Sequence, residues 1–168
     1  MLIEDGKFYF IKDEFFEIFK GYKLMENKEN RKKRPCYFCF RDKFNKEIIW
    51  FVPISTKYEK YKKIYEYKKY KQHKVYNFIF GEVVGKKSVF LIQNLFPTTE
   101  EYILGKYITE NKDVEIALNV KNKVIAYARQ VIMMAERGIN IPFYNIVEMK
   151  NILLQNKTNL SKSEFWIK

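Results

Sequence analysis

Cys36-Tyr37-Phe38-Cys39-Phe40-Arg41 and Ile48-Ile49-Trp50-Phe51-Val52-Pro53-Ile54 are two apolar runs separated by the turn-like stretch Asp42-Lys43-Phe44-Asn45-Lys46. Two short runs rich in aromatic and β-branched residues, joined by a few polar ones, predict an antiparallel hairpin. Ser55 and Thr56 follow the second run directly, and either is a fair N-cap. Beyond them Tyr58, Tyr61, Ile64 and Tyr65 fall at helical spacing, which predicts a helix over about 57–70.

Upstream, Lys7–Lys12 reads as a short strand. Asp13 can cap a short helix over Glu14–Lys20 that stops at Gly21, and 22–34 is a charged loop. Downstream, Val75–Val84 and Ser88–Gln93 read as a second strand pair turning at Gly85-Lys86-Lys87. Asn94–Pro97 is expected to be a loop, with Thr98 or Thr99 capping a helical turn toward Tyr102. Asp113–Arg137 carries Val114, Ala117, Leu118, Ile125, Ala128, Val131, Ile132 and Ala135 on one helical face and is ended by Gly138. Pro142 sits near the first turn of another helix reaching about Gln155. In the polar tail from Lys157, Phe165-Trp166-Ile167 is expected to dock on the body or on a partner. No fixed-period repeat occurs. Strands first and long helices later make an α+β fold with a mainly antiparallel sheet, in a single domain over 1–168.

The 168 residues are 47% hydrophobic and 18% aromatic, enough for a real core and against disorder. The formal net charge is +12 and the sequence pI about 9.5, which predicts a polyanionic partner, nucleic acid or an acidic membrane surface. Lysine far outnumbers arginine, so a lysine-rich composition accounts for part of that excess. No run of about 18 apolar residues predicts a transmembrane helix, and Met1-Leu2-Ile3-Glu4-Asp5 does not read as a signal peptide. Cys36 and Cys39 form a lone CxxC. Zinc would need further ligands where the only histidine is His73, and redox CxxC pairs open helices whereas this one reads as a strand. The pair reads as packing residues in a reducing cytoplasm.

Phosphate-loop, dinucleotide, zinc-protease and serine-hydrolase motifs are missing, as is the histidine pair of many ribonucleases. No carboxylate pair marks a two-metal site, so no metal and no cofactor are expected. What remains is Ser55-Thr56-Lys57 at a strand end that becomes a helix start, where free backbone N–H groups and a partial positive charge suit a phosphate. The two hydroxyls can donate to phosphate oxygens. The Lys57 amine can stabilise charge on a phosphorane or, if desolvated, move a proton. RNA brings its own nucleophile, the 2′-OH, so alignment and charge neutralisation suffice. The competing account is a Ser-Thr cap beside a solvated lysine.

From Lys57 to Lys74 eight lysines interleave with Tyr58, Tyr61, Tyr65, Tyr67, Tyr70 and His73. Tyr58, Lys60 and Lys63 are candidates for RNA contact, since lysines neutralise phosphates and tyrosines stack on unpaired bases. An amphipathic helix with tyrosines inward explains Tyr58, Tyr61 and Tyr65, but Tyr67 and Tyr70 cannot share that face. Arg31-Lys32-Lys33-Arg34 is either an RNA clamp, with Lys33 and Arg34 as contacts, or a solvated loop.

The run Arg34-Pro35-Cys36-Tyr37-Phe38-Cys39-Phe40, the hairpin, and Trp50-Phe51-Val52-Pro53-Ile54-Ser55-Thr56-Lys57-Tyr58-Glu59-Lys60-Tyr61 resemble the ToxN/AbiQ, CptN and TenpN toxins of type III toxin–antitoxin systems. Phe90-Leu91-Ile92-Gln93-Asn94-Leu95-Phe96-Pro97, with Tyr102-Ile103 behind it, is similar to the same family. The likeness is closest to the CptN and TenpN branches and covers roughly 30–110.

The resemblance implies a compact, strongly curved antiparallel sheet related to the MazF/Kid toxins, surrounded by helices. It implies metal-independent RNA cleavage leaving a 2′,3′-cyclic phosphate and a 5′-hydroxyl, in the service of phage resistance by abortive infection. It also implies an antitoxin that is a repeat RNA folded as pseudoknots, processed by the toxin and alternating with it in closed assemblies. No membrane and no nucleotide cofactor are implied. The family's hydroxyl-hydroxyl-lysine site falls on Ser55, Thr56 and Lys57, with Lys60 the alternative lysine because the ToxN branch has one more residue before its own. Arg34 and Tyr37 are further site candidates, and Gln93 and Asn94 either touch RNA or finish the sheet. The other reading of the chain is a non-catalytic basic RNA-binding protein.

Overall fold

The structure is a computed structural model that describes residues 2–25, 28–29, 32–33, 37–72 and 75–165, with the backbone alone at 28, 29, 32, 33, 37, 72 and 158–165. In chain order the elements are β1 (Phe8–Ile11), α1 (Asp13–Ile18), β2 (Lys28–Glu29), β3 (Lys32–Lys33), β4 (Tyr37–Arg41), β5 (Ile49–Ser55), α2 (Tyr58–Gln72), β6 (Phe78–Val83), β7 (Lys86–Leu91), β8 (Phe96–Thr98), β9 (Ile103–Lys106), β10 (Ile108–Thr109), β11 (Lys112–Asp113), α3 (Leu118–Glu136) and α4 (Ile146–Phe165). Short 3-10 turns stand at Lys20–Tyr22, Ile92–Asn94 and Glu100–Tyr102. The fold is α+β.

The expected hairpin forms, with Phe40 opposite Trp50 and Phe38 opposite Val52. It lies inside a seven-stranded sheet of order β6-β7-β5-β4-β1-β9, with β8 pairing β5, and all of these pairings are antiparallel. The sheet is open and does not close into a barrel. Ile49 to Val52 are at most 1% exposed, so β5 is buried on both faces.

Residues directly opposite in an antiparallel pair share a face. Trp50, Val52, Phe38, Phe40 and Phe90 therefore lie on one side, where Arg129 of α3 stands over the Phe40 ring and Lys150 of α4 over the Trp50 ring. Val120 of α3 approaches β6 so closely that a Cβ on Gly81 would lie 2.8 Å from it. Phe51, Phe96, Val89 and Leu91 face the other way. There Phe15 of α1 meets Phe96, and Tyr58, Tyr61 and Tyr65 of α2 pack on Phe78 and Phe80. Helices thus cover both faces of one sheet.

Several expectations change. Asn94–Pro97 is not a loop, because Phe96 and Pro97 belong to β8, opposite Phe51 and Trp50. Phe90 stands opposite Ile54 and Phe96 opposite Phe51, so three steps along β5 answer six along the partner. The excess is the 3-10 turn Ile92–Asn94, which acts as a three-residue bulge. Pro53 falls between these two partners, so its missing N–H interrupts neither. The long helix begins at Leu118 rather than Asp113, which lies in β11. Val114 is buried outside the helix, and Ala117 and Leu118 are exposed. Gly138, at φ 82°, closes α3 with Gly138 N–H donating to Ala135 C=O and Ile139 N–H to Met134 C=O. Pro142 precedes α4, which runs past Gln155 to Phe165. Asp13 is the first residue of α1, not its cap, and no side chain caps that helix. No side chain caps the Glu100–Tyr102 turn either, although Thr99 holds the cap position; the Thr98 and Thr99 hydroxyls are buried with no hydrogen-bond partner among the described residues.

The β6–β7 turn is the two-residue Val84-Gly85, one position earlier than expected, with φ 50° and 68°. Positive φ at both central residues is the type I′ pattern that favours Asn-Gly, and a β-branched residue is strained there. Val84→Asn is expected to raise stability by about 0.5–1 kcal/mol, read as a higher midpoint in urea; an unchanged or lower midpoint refutes the strain.

Asp42 organises the 42–47 turn. Its Oδ1 accepts from the N–H groups of Phe44 and Asn45 at 2.9 and 2.8 Å, and its Oδ2 accepts from Trp50 Nε1 at 2.6 Å, with Lys150 Nζ at 3.5 Å. Burial alone would raise this carboxyl; the Trp50 and backbone donors and Lys150 outweigh it and hold it below the usual range. Its contribution is present above the unfolded carboxyl pKa near 4 and is lost as pH falls through the lower folded value. Asp42→Asn should cost about 1–3 kcal/mol at pH 7. That difference should shrink below about pH 4, as followed by urea unfolding at several pH values.

Candidate nucleic-acid site

β5 ends at Ser55 and α2 begins at Tyr58, so the three candidate residues span the junction. Ser55 is half-buried, while Thr56 and Lys57 are exposed. Neither hydroxyl takes the cap position. Lys57 occupies it, since its C=O accepts the first helical bond from Tyr61 N–H at 3.2 Å. Ser55 Oγ accepts from Lys57 N–H at 3.2 Å, and Tyr58 N–H donates to Thr56 C=O at 2.8 Å. That uses two of the four amides a helix start leaves unpaired. The N–H groups of Glu59 and Lys60 bind no acceptor among the described residues. Thr56, Lys57 and Lys60 are all exposed in this short stretch.

The charge around α2 differs from that beside β1, β9 and α4. Lys7 and Lys106 are held by Asp113, with Glu115 and Glu4 as second partners, and Lys150 by Asp42 and Glu136. The hydrogen bond to Glu4, and then that to Asp113, hold Lys106 protonated well above the ordinary lysine range. Among the described residues no lysine of α2, nor Lys57, lies within ion-pairing distance of a carboxylate. Residues 57–74 hold eight lysines and two glutamates, half of the formal net charge.

The remaining candidates divide. Lys60 and Lys63 are exposed on α2. Tyr58 is half-buried, 5.1 Å from the Phe80 ring, and packs inward. Gln93 and Asn94 are buried at 6% and 8%. Gln93 Oε1 accepts from Asn77 Nδ2, Gln93 C=O from Phe143 N–H, and Asn94 C=O from the Tyr144 hydroxyl. Their place is therefore the structural one, at the bulge between β7 and β8. Tyr37 stands opposite Pro53, two positions short of Ser55, and Lys33 lies in β3; for both the backbone alone is described. Arg31, Arg34, Cys36, His73, Trp166 and Ile167 lie outside the described residues. Cys39 is fully buried, its thiol donates to Glu4 C=O, and burial pushes it far above the ordinary thiol range, consistent with packing.

One residue was missed. Lys87 lies two positions from Val89, which faces Ser55, and its ammonium stands 5.6 Å from the centre of the Tyr58 ring. Only the β5–β7 register brings it to the start of α2. A cavity of about 340 Å³, lined by Phe40, Phe44, Trp50, Arg129 and Met133 among others, lies at the opposite end of β5. Five residue steps of strand, about 16 Å, separate Trp50 from Ser55, so this cavity is no part of the junction. Among the described residues no helix is long and apolar enough to cross a membrane. No protein-family model matches the chain, and no curated protein matches it.

Proposed function

We propose that this chain is an RNA-cleaving toxin of the type III kind, acting in the cytoplasm and neutralised by a repeat RNA. The observation that carries the reading is the β5–α2 junction. Within residues 55–60 lie two backbone N–H groups unpaired among the described residues, the hydroxyls of Ser55 and Thr56, and two exposed lysines with no carboxylate partner among the described residues, at a helix start of the kind that suits a phosphate.

In the proposed reaction the RNA 2′-oxygen attacks the adjacent phosphorus and loses its proton. The P–O5′ bond then breaks, and the leaving oxygen takes up a proton. The products are a 2′,3′-cyclic phosphate and a 5′-hydroxyl. Lys57 neutralises the charge that builds on the equatorial oxygens, and Thr56 donates to one of them. Ser55, whose oxygen accepts from Lys57 N–H, keeps its own proton for the phosphate. No step calls for a metal. The three-residue bulge between β7 and β8 supports the curved, MazF/Kid-like sheet this reading expects, and the proposed antitoxin is a pseudoknot RNA alternating with the protein in closed assemblies.

Lys57→Ala should reduce cleavage by at least about 100-fold with an unchanged melting temperature, while Lys60→Ala should retain most of it. The assay is mapping of new 5′-hydroxyl ends on purified RNA, and excess chelator should leave the wild-type rate intact. Full activity in Lys57→Ala removes that residue from the mechanism. Wild-type protein that binds RNA without cutting it supports the non-catalytic RNA-binding reading instead.

A further inference from the structure

The inward side of α2 is occupied. Tyr58, Tyr61, Ile64 and Tyr65 pack on the Phe78, Val89 and Leu91 cluster of β6 and β7. At 100° per residue, Lys60, Lys63, Tyr67, Tyr70 and Lys71 project from the opposite side as one continuous stripe. Tyr67 and Tyr70 are 60% and 86% exposed and make no ring contact with another aromatic among the described residues. The Lys71 ammonium lies 4.7 Å from the centre of the Tyr67 ring. The helix carries six lysines against two glutamates, and none of those lysines is ion-paired among the described residues.

Two solvent-facing tyrosine rings one turn apart, set among ammonium groups with no carboxylate partner among the described residues, contribute little to folding beyond the Lys71–Tyr67 contact. Exposed aromatic rings gain nothing from packing, and clustered like charges repel. Both gain from a ligand that is anionic along its backbone and offers flat, unpaired rings.

We infer that the outward stripe of α2 is a second, non-catalytic binding site for single-stranded RNA, with Tyr67 and Tyr70 stacking on successive bases and Lys63 and Lys71 contacting the flanking phosphates. This deepens the preceding proposal and takes from it only that the polyanion is RNA. Base-paired RNA hides its ring faces inside the stack and offers this stripe phosphates alone. An acidic membrane is a poorer fit, because a surface-lying helix needs a free apolar face, and the apolar face of α2 is spent on β6 and β7.

The test uses the full chain and a twelve-nucleotide 2′-O-methyl uridine oligomer, which nuclease activity cannot consume. Binding is read by fluorescence anisotropy. Tyr67→Ala/Tyr70→Ala should weaken binding roughly ten-fold or more, while Tyr67→Phe/Tyr70→Phe, which keeps the rings, should bind like the wild type. Lys63→Ala/Lys71→Ala should lower the slope of log affinity against log salt by about 1.4. These positions are exposed, so circular dichroism should show every variant folded. Equal binding by the alanine and wild-type proteins overturns the inference, as does equal affinity for an RNA duplex of the same charge, or a tyrosine-dependent preference for phosphatidylserine vesicles over the oligomer. Cleavage with tyrosine-independent binding sinks this inference and leaves the nuclease standing. Tyrosine-dependent binding without cleavage does the reverse.

Discussion

A strand with no solvent-facing side governs this molecule. Ile49 to Val52 are buried on both faces, and β5 has neighbours along both edges. Such a strand is stable only if a layer lies above it and another below, because each large side chain loses about 1.5–3 kcal/mol of transfer free energy when left in water. The division of the helices follows. α3 and α4 cover the side of Trp50 and Val52, while α1 and α2 cover the side of Phe51 and Val89. α2 is therefore anchored where β5 leaves the core, and the Ser55–Lys57 junction is fixed by packing on either side of it.

The same arrangement separates two kinds of surface. Where β1 and β9 meet the lead-in to α3, lysines are matched by carboxylates, and the charges there hold segments together. Along α2 the lysines have no carboxylate partner among the described residues. Exposed ion pairs contribute little to stability, so their absence costs the fold little, yet it leaves a strong local field. Half of the net charge of +12 thus falls in residues 57–74, where eight lysines stand against two glutamates.

The sequence made the hairpin, the α2 periodicity and the α+β order plain, because each rests on local patterns of apolar residues. It hid β8, since Pro97 and the Asn94 region read as turn chemistry while their pairing with β5 is set from more than forty residues away. It placed the start of α3 too early because apolar spacing continues through Val114, although residues 114–117 form no helix. At the junction the residue types were legible and the cap was not. The orientation of Tyr67 and Tyr70 was half legible, since periodicity excluded them from the inner face without saying what the outer face meets. Lys87 left no local trace at all, being brought to the site by strand register alone.

The position of β1 in the sheet bears on how the protein is made. Tyr9 lies between Tyr37 on one edge and Lys106 on the other. A ribosome delivers the first partner early, but the second only after most of the chain has emerged. Until then the first strand keeps an open edge, and nascent chains with open edges are prone to mispairing. Assembly of the complete sheet is therefore a late event in synthesis, dominated by contacts between distant parts of the chain, and such folds form slowly.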